Sequence, residues 1–526
     1  MSFNNRFCVE GTLTTLAPLH IGNGDITHRA ELVNETGGTP VEIASVATDV
    51  AARPYLPGST LKGNLRAWLE ACGEAPALLD QVFGTQETGG KVEFWDARCT
   101  RPPTSMALHR WWDAQRVTCV AASVAMDRRR RTASSRKLFF REFVPPGICF
   151  DTKVTGQDLT DEELMLVLAA LEAFNASDDP VAIGADTGDG WGRLKWDLTN
   201  IRAIDRAGVA AWLQADNPAV GYQALVSLPP ERRSELETSA KALVARNPAN
   251  QCSIRLAVNI SFDGSFLVND ASQTGKGEGK HDHAPLLDGL AGDALLPASS
   301  LRGALRSQAE KILRTMKGPL AACYADGQGP RPPCGPVRRK RDLERLCPVC
   351  KVFGASGWRS PVQVSDFTRL PAMPPASGQF VTQEFLAIDR FTGGGAAHLK
   401  FNAQSAYRPR LAGTLAVDLE ALDRAGAGPW ALLLVALVLR DLKEGDIPLG
   451  FGVAKGYGAC ACEFRIAHMP VVDQLPPMFL QAVRKESIGQ RDLDSLGASF
   501  TAGPALECAL IGWFEELKAS VGGKAQ

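Results

Sequence analysis

The chain has 526 residues, of which 45% are hydrophobic, and its 57 Lys and Arg against 58 Asp and Glu give a formal net charge of −1. This length exceeds what one hydrophobic core normally organises, and the composition excludes a disordered chain, so we expect at least two folded domains. The near-zero charge argues against a free-standing nucleic-acid binder covered in cations, but it permits a basic groove on one face.

The cysteines and the apolar runs indicate a cytoplasmic protein without membrane partners. The amino terminus has no apolar core of the signal-peptide type, and the longest apolar run, residues 430–439, is too short to cross a bilayer. The 13 cysteines are odd in number, so we expect free thiols and a metal site rather than a disulfide framework.

Four short motifs occur twice in the same order. They are residues 57–66 (PGSTLKGNLR) and 297–306 (PASSLRGALR), 82–84 and 352–354 (VFG), 125–128 (AMDR) and 387–390 (AIDR), and 184–192 (GADTGDGWG) and 450–458 (GFGVAKGYG). Recurrence of four motifs in one order indicates two copies of one module fused head to tail.

Each copy is predicted to begin with a strand of alternating polarity, at residues 8–16 and 254–262. Ser59 and Ser299 then have the side chains and positions of helix N-caps, so we expect a helix to begin after each.

Late in each copy an apolar helix is predicted, at residues 162–174 and 430–442, followed by the glycine-rich motif and a strand, at 459–464 in the second copy. The Pro-containing segment between the copies is expected to be a partly helical connector. The predicted divisions are a first module at 1–202, a connector at 203–250, a second module at 251–470 and a C-terminal extension at 471–526.

The glycine-rich motifs are compatible with phosphate binding, but a dinucleotide fold needs strand, glycines and helix in that order. Here the helix precedes the glycines. We therefore favour backbone amides, together with Arg193 and Lys455, lying against RNA phosphates; glycines that merely make turns are the alternative.

The repeated Pro-Gly-Ser and Pro-Ala-Ser segments combine hydroxyls, cations and helix amides, which suits an anion site. An ordinary capped helix is the alternative, and the duplication favours phosphate binding. The candidate RNA-binding residues here are Ser59, Lys62, Arg66, Ser299, Arg302 and Arg306.

Four cysteines, Cys323, Cys334, Cys347 and Cys350, have spacing compatible with a zinc site. The close pair suits two thiolates on one tetrahedral ion, and the flanking loop supplies the other two. Four thiolates leave no open position, so a structural Zn²⁺ is predicted, with accidental free thiols as the alternative. The first copy has residues 79–81 (LDQ) at this place and lacks the site.

Two basic stretches, residues 128–131 and 338–341, are expected to contribute to an RNA groove, with Arg128 and Arg390 as contacts. Phe391 follows Arg390 in a glycine-rich loop. Its ring is a candidate for stacking on a base, or alternatively for anchoring a hairpin.

The sequence contains no nucleophile elbow, Walker loop or paired zinc-protease histidines. The best catalytic candidate is His281-Asp282-His283, in a polar loop before Asp288. A carboxylate there could help to activate a ribose 2′-hydroxyl or hold a metal ion near a phosphate. A solvated surface aspartate is the alternative.

Together these motifs, with residues 19–24 (LHIGNG), 347–354 (CPVCKVFG) and 388–394 (IDRFTGG), resemble the RAMP superfamily. Within it, the chain looks like the backbone subunits of type III CRISPR effectors, fused in tandem. The resemblance implies an α+β fold with two tandem ferredoxin-like, RRM-like modules, each carrying a β-hairpin thumb. Residues 388–394 would belong to the second thumb.

The resemblance also implies partners and a reaction: crRNA, complementary single-stranded target RNA and other CRISPR effector subunits. In cleaving members, an aspartate in the loop before the Pro-Gly-Ser signature cuts target RNA with a divalent cation such as Mg²⁺. Asp282, six residues before Asp288, matches that aspartate. In the first copy Asp49 matches Asp288, but Ile43 stands at the catalytic position. Either Glu42 or Asp49 substitutes there, or this half only binds RNA.

Two alternative functions are compatible with the same residues. One is a non-catalytic crRNA-binding scaffold. The other is a guide-processing endoribonuclease of the same superfamily, in which His20 or His28 acts as general acid or base.

Overall fold

The structure is a computed structural model. It describes residues 4–29, 32, 40–101, 111–127, 132–176, 180–214, 225–245, 252–270, 273–275, 281–288, 292–325, 327–370 and 380–485. These residues divide into two compact units. The first unit takes the described residues up to 121 and within 139–187 and 191–250, and the second takes those within 122–138 and 188–190 and from 252 onward. Across the described ranges, no helix has the length and apolar character needed to span a bilayer.

The elements of the first half alternate between short strands and helices. The strands are β1 (Asn5–Thr15), β2 (Gly22–Thr27), β3 (Ile43–Val46), β4 (Tyr55–Leu56), β5 (Val92–Phe94), β6 (Ala97–Arg98), β7 (Cys119–Asp127), β8 (Thr132–Phe143), β9 (Cys149–Gln157), β10 (Leu194–Asp205) and β11 (Val226–Ser227). The helices are α1 (Gly58–Ala71), α2 (Pro76–Phe83), α3 (Asp161–Glu172), α4 (Arg206–Leu213) and α5 (Pro230–Ala245).

The first sheet is built around β1, which pairs antiparallel with β9 on one side and β10 on the other. Alternate residues of β1, including Val9 and Leu13, are buried because one face of the strand packs on the core. Helices α1 and α3 contribute the apolar side chains that cover this face. The predicted first strand and the predicted late helix are confirmed by β1 and α3.

The second half repeats this plan. The strands are β12 (Ser253–Phe262), β13 (Ser265–Phe266), β14 (Val362–Val364), β15 (Thr368–Arg369), β16 (Phe380–Ile388), β17 (Gly395–Tyr407), β18 (Arg410–Asp418) and β19 (Cys460–His468). The helices are α6 (Ala298–Lys317), α7 (Pro348–Phe353), α8 (Leu419–Arg424), α9 (Pro429–Lys443) and α10 (Pro477–Lys485).

The two central sheets share the pairing pattern of their middle strands, although the first has seven strands and the second five. In the first, β1 lies between β10 and β9, and β9 also pairs with β5 and β6; in the second, β12 lies between β19 and β18, and β18 also pairs with β14 and β15. Strands β12 and β19 and helix α9 confirm the predicted elements of the second copy. The chain therefore contains the two tandem α+β, ferredoxin-like modules that the repeated motifs predict.

Each half of the chain carries an inserted pair of long neighbouring strands, β7–β8 in the first and the antiparallel pair β16–β17 in the second. Strand β16 is exposed along nearly all of its length, so this hairpin is not a core element. The two hairpins occupy the places predicted for the thumbs.

The prediction that Ser59 and Ser299 are N-caps is wrong. Helices α1 and α6 begin two residues earlier than predicted, directly after Pro57 and Pro297, and both serines are exposed in the first turn. The first helical amide donates instead to a distant carboxylate, Asp96 for α1 (2.9 Å) and Asp366 for α6 (2.8 Å). A carboxylate from elsewhere in the fold therefore satisfies the group that a local cap would have satisfied.

Helix α5 lies in the segment expected to connect the modules. Its residues Leu236, Ala240 and Val244 are buried in the core of the first unit. In the same way, Phe479 and Val483 of α10 are buried in the core of the second unit.

Candidate active site and metal centre

Asp282 lies in a loop that is hydrogen-bonded to hairpin strand β17. Its N–H donates to Oδ1 of Asn402 at 2.8 Å, and the N–H of Asn402 donates to its Oδ2 at 2.9 Å. The backbone of His283 continues the pairing, since its N–H donates to the carbonyl of Asn402 at 3.2 Å and its carbonyl accepts from Gln404 at 2.9 Å. The half-buried carboxylate of Asp282 is therefore held in a defined orientation at the hairpin.

The residue after Asp282 packs into an aromatic cluster. The His283 ring lies 4.3 Å from the ring of Phe451 and 5.6 Å from that of Phe401, measured between centroids. Burial lowers the pKa of His283, so its imidazole is neutral at pH 7. Lys455 places Nζ 5.5 Å from the Phe401 ring and 5.4 Å from the Phe451 ring, while its side chain stays exposed. The Asp282 loop and the glycine-rich segment of Lys455 thus place a carboxylate and a cation close to the same aromatic cluster.

The tip of the second hairpin carries an exposed aromatic ring. Phe391 is 97% exposed, and Arg390 beside it is exposed as well. The N–H of Phe391 donates to Oδ1 of Asp389 at 2.8 Å, and this bond lowers the pKa of Asp389. Because the ring lies in solvent, Phe391 does not anchor the hairpin.

In both glycine-rich motifs, the backbone of the last glycine packs tightly against the backbone of an earlier residue. A Cβ at Gly192 would lie 1.9 Å from the carbonyl oxygen of Ile183, and one at Gly458 would lie 2.1 Å from that of Leu449. Both glycines also have positive φ, 76° and 80°, so the turn itself requires them. A strand, β10 or β19, follows each motif, so the order of elements differs from the strand, glycines and helix of a dinucleotide fold. Arg193, next to the first of them, is exposed.

The hairpin pairing identifies the first-module counterpart of Asp282. Strand β3 runs parallel to β8 with Ile43 opposite Phe140, just as the loop of Asp282 runs parallel to β17 beside Asn402. Ile43 occupies the position of Asp282 and is fully buried, in agreement with the sequence comparison. Glu42, the adjacent carboxylate, is exposed.

Asp49, the other acidic candidate of the first module, stabilises a turn. Its Oδ1 accepts from the backbone N–H groups of Ala51 at 2.9 Å and Arg53 at 3.0 Å. Both bonds are local, so they give this carboxylate a structural role at the end of the loop.

A buried carboxylate of a different kind lies on β8 of the first module. Glu142 accepts from Arg116 at 2.7 and 2.8 Å, from Arg29 at 3.1 Å, from Thr118 at 2.6 Å and from the N–H of Val46 at 3.0 Å. Burial opposes ionisation of Glu142, but these donors outweigh it and lower the pKa to about 2. The first module therefore has an internal ion-pair network on β8.

The two histidines considered for guide processing have protein partners. Nδ1 of His20 lies 2.7 Å from the carbonyl oxygen of Glu142, and burial lowers the pKa of His20. Nδ1 of His28 lies 3.1 Å from the carbonyl oxygen of Val41. His20 is only 7% exposed, which leaves little of its ring accessible to an RNA.

Four of the predicted RNA-binding cations are bonded to protein groups. Their contacts are Lys62 to the carbonyl of Val92 (3.3 Å), Arg66 to Asp80 and the carbonyl of Gly84, Arg302 to Asp189 (2.6 Å), and Arg306 to the carbonyl of Gly354 (2.8 Å). Burial also lowers the pKa of Lys62. Arg193, Arg390 and Lys455 have more exposed side chains, whereas Arg128 lies outside the described residues.

The four predicted metal ligands come together in the second module. The ligand atoms of Cys323, Cys334, Cys347 and Cys350 all lie within 4.8 Å of one another. Sγ of Cys323 is 3.5 Å from that of Cys350 and 3.7 Å from that of Cys347. Zn–S bonds of about 2.3 Å in a tetrahedron place sulfurs roughly 3.8 Å apart, so these distances fit one zinc-sized ion.

Local structure explains how the cluster forms. Cys347 is the N-cap of α7, and its Sγ accepts from the N–H of Cys350 at 3.4 Å, while its own N–H donates to Sγ of Cys334 at 3.3 Å. Backbone donors directed at sulfur favour thiolates. The exposed cations at residues 338–341 lie in the loop between Cys334 and Cys347.

The described cysteines elsewhere are free, and none of them forms a disulfide. In the same part of the chain, the cluster of Cys323, Cys334, Cys347 and Cys350 is the only group of three or more that could hold a metal ion through sulfur.

Comparison with known proteins agrees with the duplicated architecture. The family model of the RAMP superfamily matches residues 12–195 and again residues 264–461, which together exceed half of the chain. No curated relative matches it. The two matched segments coincide with the two ferredoxin-like modules, and the chain therefore belongs to the RAMP superfamily, a family that takes part in CRISPR effector complexes.

Proposed function

We propose that this chain is a crRNA-binding backbone subunit of a type III CRISPR effector complex and that its second module cleaves complementary single-stranded RNA. The observation that carries the proposal is the reciprocal bonding of Asp282 and Asn402, which fixes a carboxylate to the hairpin strand. A solvated surface aspartate would not need such support. Partner subunits, crRNA and target RNA are the proposed partners.

The proposed reaction is attack of a ribose 2′-hydroxyl on the adjacent phosphorus. Asp282 takes the proton of the 2′-hydroxyl as the O2′–P bond forms and the P–O5′ bond breaks. The products are a 2′,3′-cyclic phosphate and a 5′-hydroxyl that takes its proton from water. Oδ2 of Asp282 accepts from the N–H of Asn402, so Oδ1 is the oxygen proposed to take the 2′-hydroxyl proton. Lys455 carries positive charge toward the phosphate, and the reaction requires RNA because DNA lacks the attacking hydroxyl.

A divalent cation such as Mg²⁺ would stabilise the charge that develops on the phosphate. Mg²⁺ is commonly held by one or two protein carboxylates together with substrate phosphates, and Asp282 fits such a minimal site.

The first module is proposed to bind RNA without cutting it. Ile43 supplies no oxygen at the place of Asp282, and it is sealed in the core. The exposed Glu42 and the turn-forming Asp49 have no bonds comparable to the Asp282–Asn402 pair among the described residues. One cut per copy of this subunit is therefore expected.

The hairpin tip is proposed to interrupt pairing between guide and target. The fully exposed Phe391 has the geometry to stack on a base, and Arg390 lies beside it. The four cysteines are proposed to hold a structural Zn²⁺.

The test uses the complex co-expressed with its partner subunits and a matching CRISPR array. Labelled complementary RNA is incubated with Mg²⁺, and wild type is compared with Asp282→Asn, which keeps the size of the side chain and an oxygen to accept from Asn402. We expect one regularly spaced cut to slow by at least about 100-fold while target binding is retained. Glu42→Gln is the matched control and should leave every cut unchanged.

Other outcomes assign other functions. If every cut persists in Asp282→Asn, the chain is a non-catalytic scaffold and the cleavage belongs to a neighbouring subunit. If a target with a single 2′-deoxyribose at the scissile position is cut at the normal rate, the proposed 2′-hydroxyl attack is wrong.

A further inference from the structure

Arg306, on helix α6, is directed at the cysteine cluster. Its Nη2 donates to Sγ of Cys350 at 3.0 Å, and its Nη1 donates to the carbonyl oxygen of Gly354 at 2.8 Å. The side chain is only 16% exposed. A buried guanidinium with these partners contacts the metal ligands and not an RNA groove.

The first module contains the same arrangement without the cysteines. Arg66, which matches Arg306 in the repeated motif, donates to the carbonyl oxygen of Gly84, and Gly84 matches Gly354. Its second bond goes to the carboxylate of Asp80. Counting back four residues from each glycine shows that Asp80 stands where Cys350 stands in the second module. The arginine and the carbonyl are kept, and the negative partner changes from carboxylate to sulfur.

If Cys350 is a thiolate, it is the negative partner of Arg306, as the Asp80 carboxylate is the negative partner of Arg66. A guanidinium stays protonated, and a hydrogen bond from it is much stronger to an anion than to a neutral thiol. Four thiolates around one divalent ion carry a net charge of −2, which is costly to bury without cations nearby. Arg306 supplies a positive charge in direct contact with one of the four sulfurs.

A second arginine of α6 contacts a different cysteine of the cluster. Arg314 donates to the carbonyl oxygen of Cys323 at 2.7 Å. The buried Glu310 lies between the two arginines, 3.3 Å from Nε of Arg306 and 3.3 Å from Nη2 of Arg314. One carboxylate therefore orients both cations toward the metal ligands.

We infer that Arg306 is a positioning residue of the metal centre, and that the Arg66–Asp80 ion pair is its metal-free equivalent in the first module. Arg306 stabilises Cys350 as a thiolate ligand and ties α7 to α6. This inference rests on the proposed binding of a metal ion by the four cysteines.

The first experiment measures metal affinity on the purified full chain. Zn²⁺ transfer to a competing chelator is compared for wild type, Arg306→Met, Arg306→Lys and the matched first-module control Arg66→Met. Loss of a group that orients a ligand typically weakens metal affinity by about 10–100-fold, and this loss is expected for Arg306→Met but not for Arg66→Met. Arg306→Lys should recover part of it, because charge returns without the two-pronged geometry.

The outcomes distinguish metal binding by the four cysteines from the role of Arg306. If wild type carries no metal, the metal centre itself is wrong. If wild type binds Zn²⁺ and Arg306→Met holds it equally well, the metal centre stands and the role of Arg306 is wrong. Absorption of the Co²⁺-loaded chain gives an independent readout, since the sulfur-to-metal bands should shift in Arg306→Met and not in Arg66→Met.

A second comparison applies even if Arg306→Met fails to fold. The first module has Ala77 and Asp80 at the positions of Cys347 and Cys350, so the double substitution Cys347→Ala/Cys350→Asp copies it. We expect this double variant to melt about 2–4 °C above Cys347→Ala/Cys350→Ala, because the carboxylate pairs with Arg306. Equal melting temperatures would overturn the proposed equivalence of the two anions.

Discussion

Asp282 and Asn402 hold each other through two hydrogen bonds, although 120 positions separate them in the chain. Each residue donates its backbone N–H to a side-chain oxygen of the other. The carboxylate therefore cannot rotate freely without losing a bond to strand β17. The orientation of the Asp282 carboxylate therefore depends on the position of strand β17.

Removing one half of this pair tests its importance. Asn402→Ala deletes the Oδ1 that accepts from Asp282 but keeps the backbone N–H that donates to the carboxylate. A misoriented catalytic group should slow cleavage by about 10–100-fold, with target binding unchanged. Single-turnover cutting of labelled RNA by the assembled complex measures this rate. Asn259→Ala, at an exposed position of β12, is the control. If both variants cut at the same rate, Asn402 does not contribute to catalysis.

The exposed ring at the hairpin tip predicts a substitution that affects RNA and not folding. Phe391→Ala should change stability by less than about 0.5 kcal/mol, since the ring buries almost nothing. Loss of one stacked base should weaken target binding by about 1–3 kcal/mol. Thermal melting and target affinity of the complex measure the two effects. Leu386→Ala, an exposed apolar change on the same hairpin, is the control, and unchanged affinity in Phe391→Ala would exclude stacking.

Glu142 predicts an acid-dependent stability of the first module. Its folded-state pKa of about 2 lies below the ordinary value of 4.5, so its contribution is complete above pH 4.5 and disappears as the pH falls through 2. The shift corresponds to about 3 kcal/mol. Glu142→Gln should therefore destabilise the module at pH 7, and its difference from wild type should shrink as the pH is lowered toward 2.

Urea unfolding followed by tryptophan fluorescence between pH 7 and pH 3 measures this dependence. Glu42→Gln changes an exposed carboxylate in the same module and should leave the profile unchanged. A difference between Glu142→Gln and wild type that is constant with pH would contradict the lowered pKa.

Metal removal should affect the two modules differently. A strong chelator is expected to lower the melting temperature of the second module, because the binding energy of a structural Zn²⁺ is part of its folding energy. The first module, which has Ala77 and Asp80 in place of two ligands, should melt as before. Calorimetry with and without chelator measures both transitions. Cys72→Ser, a change outside the cluster, should leave the metal content intact.

Much of the architecture is encoded locally and was predictable from sequence. The alternating polarity of β1 and β12 reflects one buried face, and the apolar periods of α3 and α9 reflect helices packed on a sheet. The recurrence of short motifs in one order predicted the duplication, and cysteine spacing predicted the cluster. These patterns depend on neighbours a few positions apart, which is why the sequence displays them.

Contacts between segments far apart in the chain determine how the helices α1 and α6 begin, and the sequence did not predict them. Asp96 and Asp366 accept hydrogen bonds from the first backbone N–H groups of α1 and α6. Ser59 and Ser299 therefore do not cap these helices, contrary to the prediction.

The amino-acid sequence alone predicted the two-module α+β plan, Asp282 as the catalytic candidate and the group of four cysteines that the structure brings together. Only the tertiary structure decided that Asn402 supports Asp282 and that Arg306 bonds to a cysteine sulfur. Hydrogen bonds between residues far apart in sequence depend on how strands and helices pack, and no local period or motif records that packing.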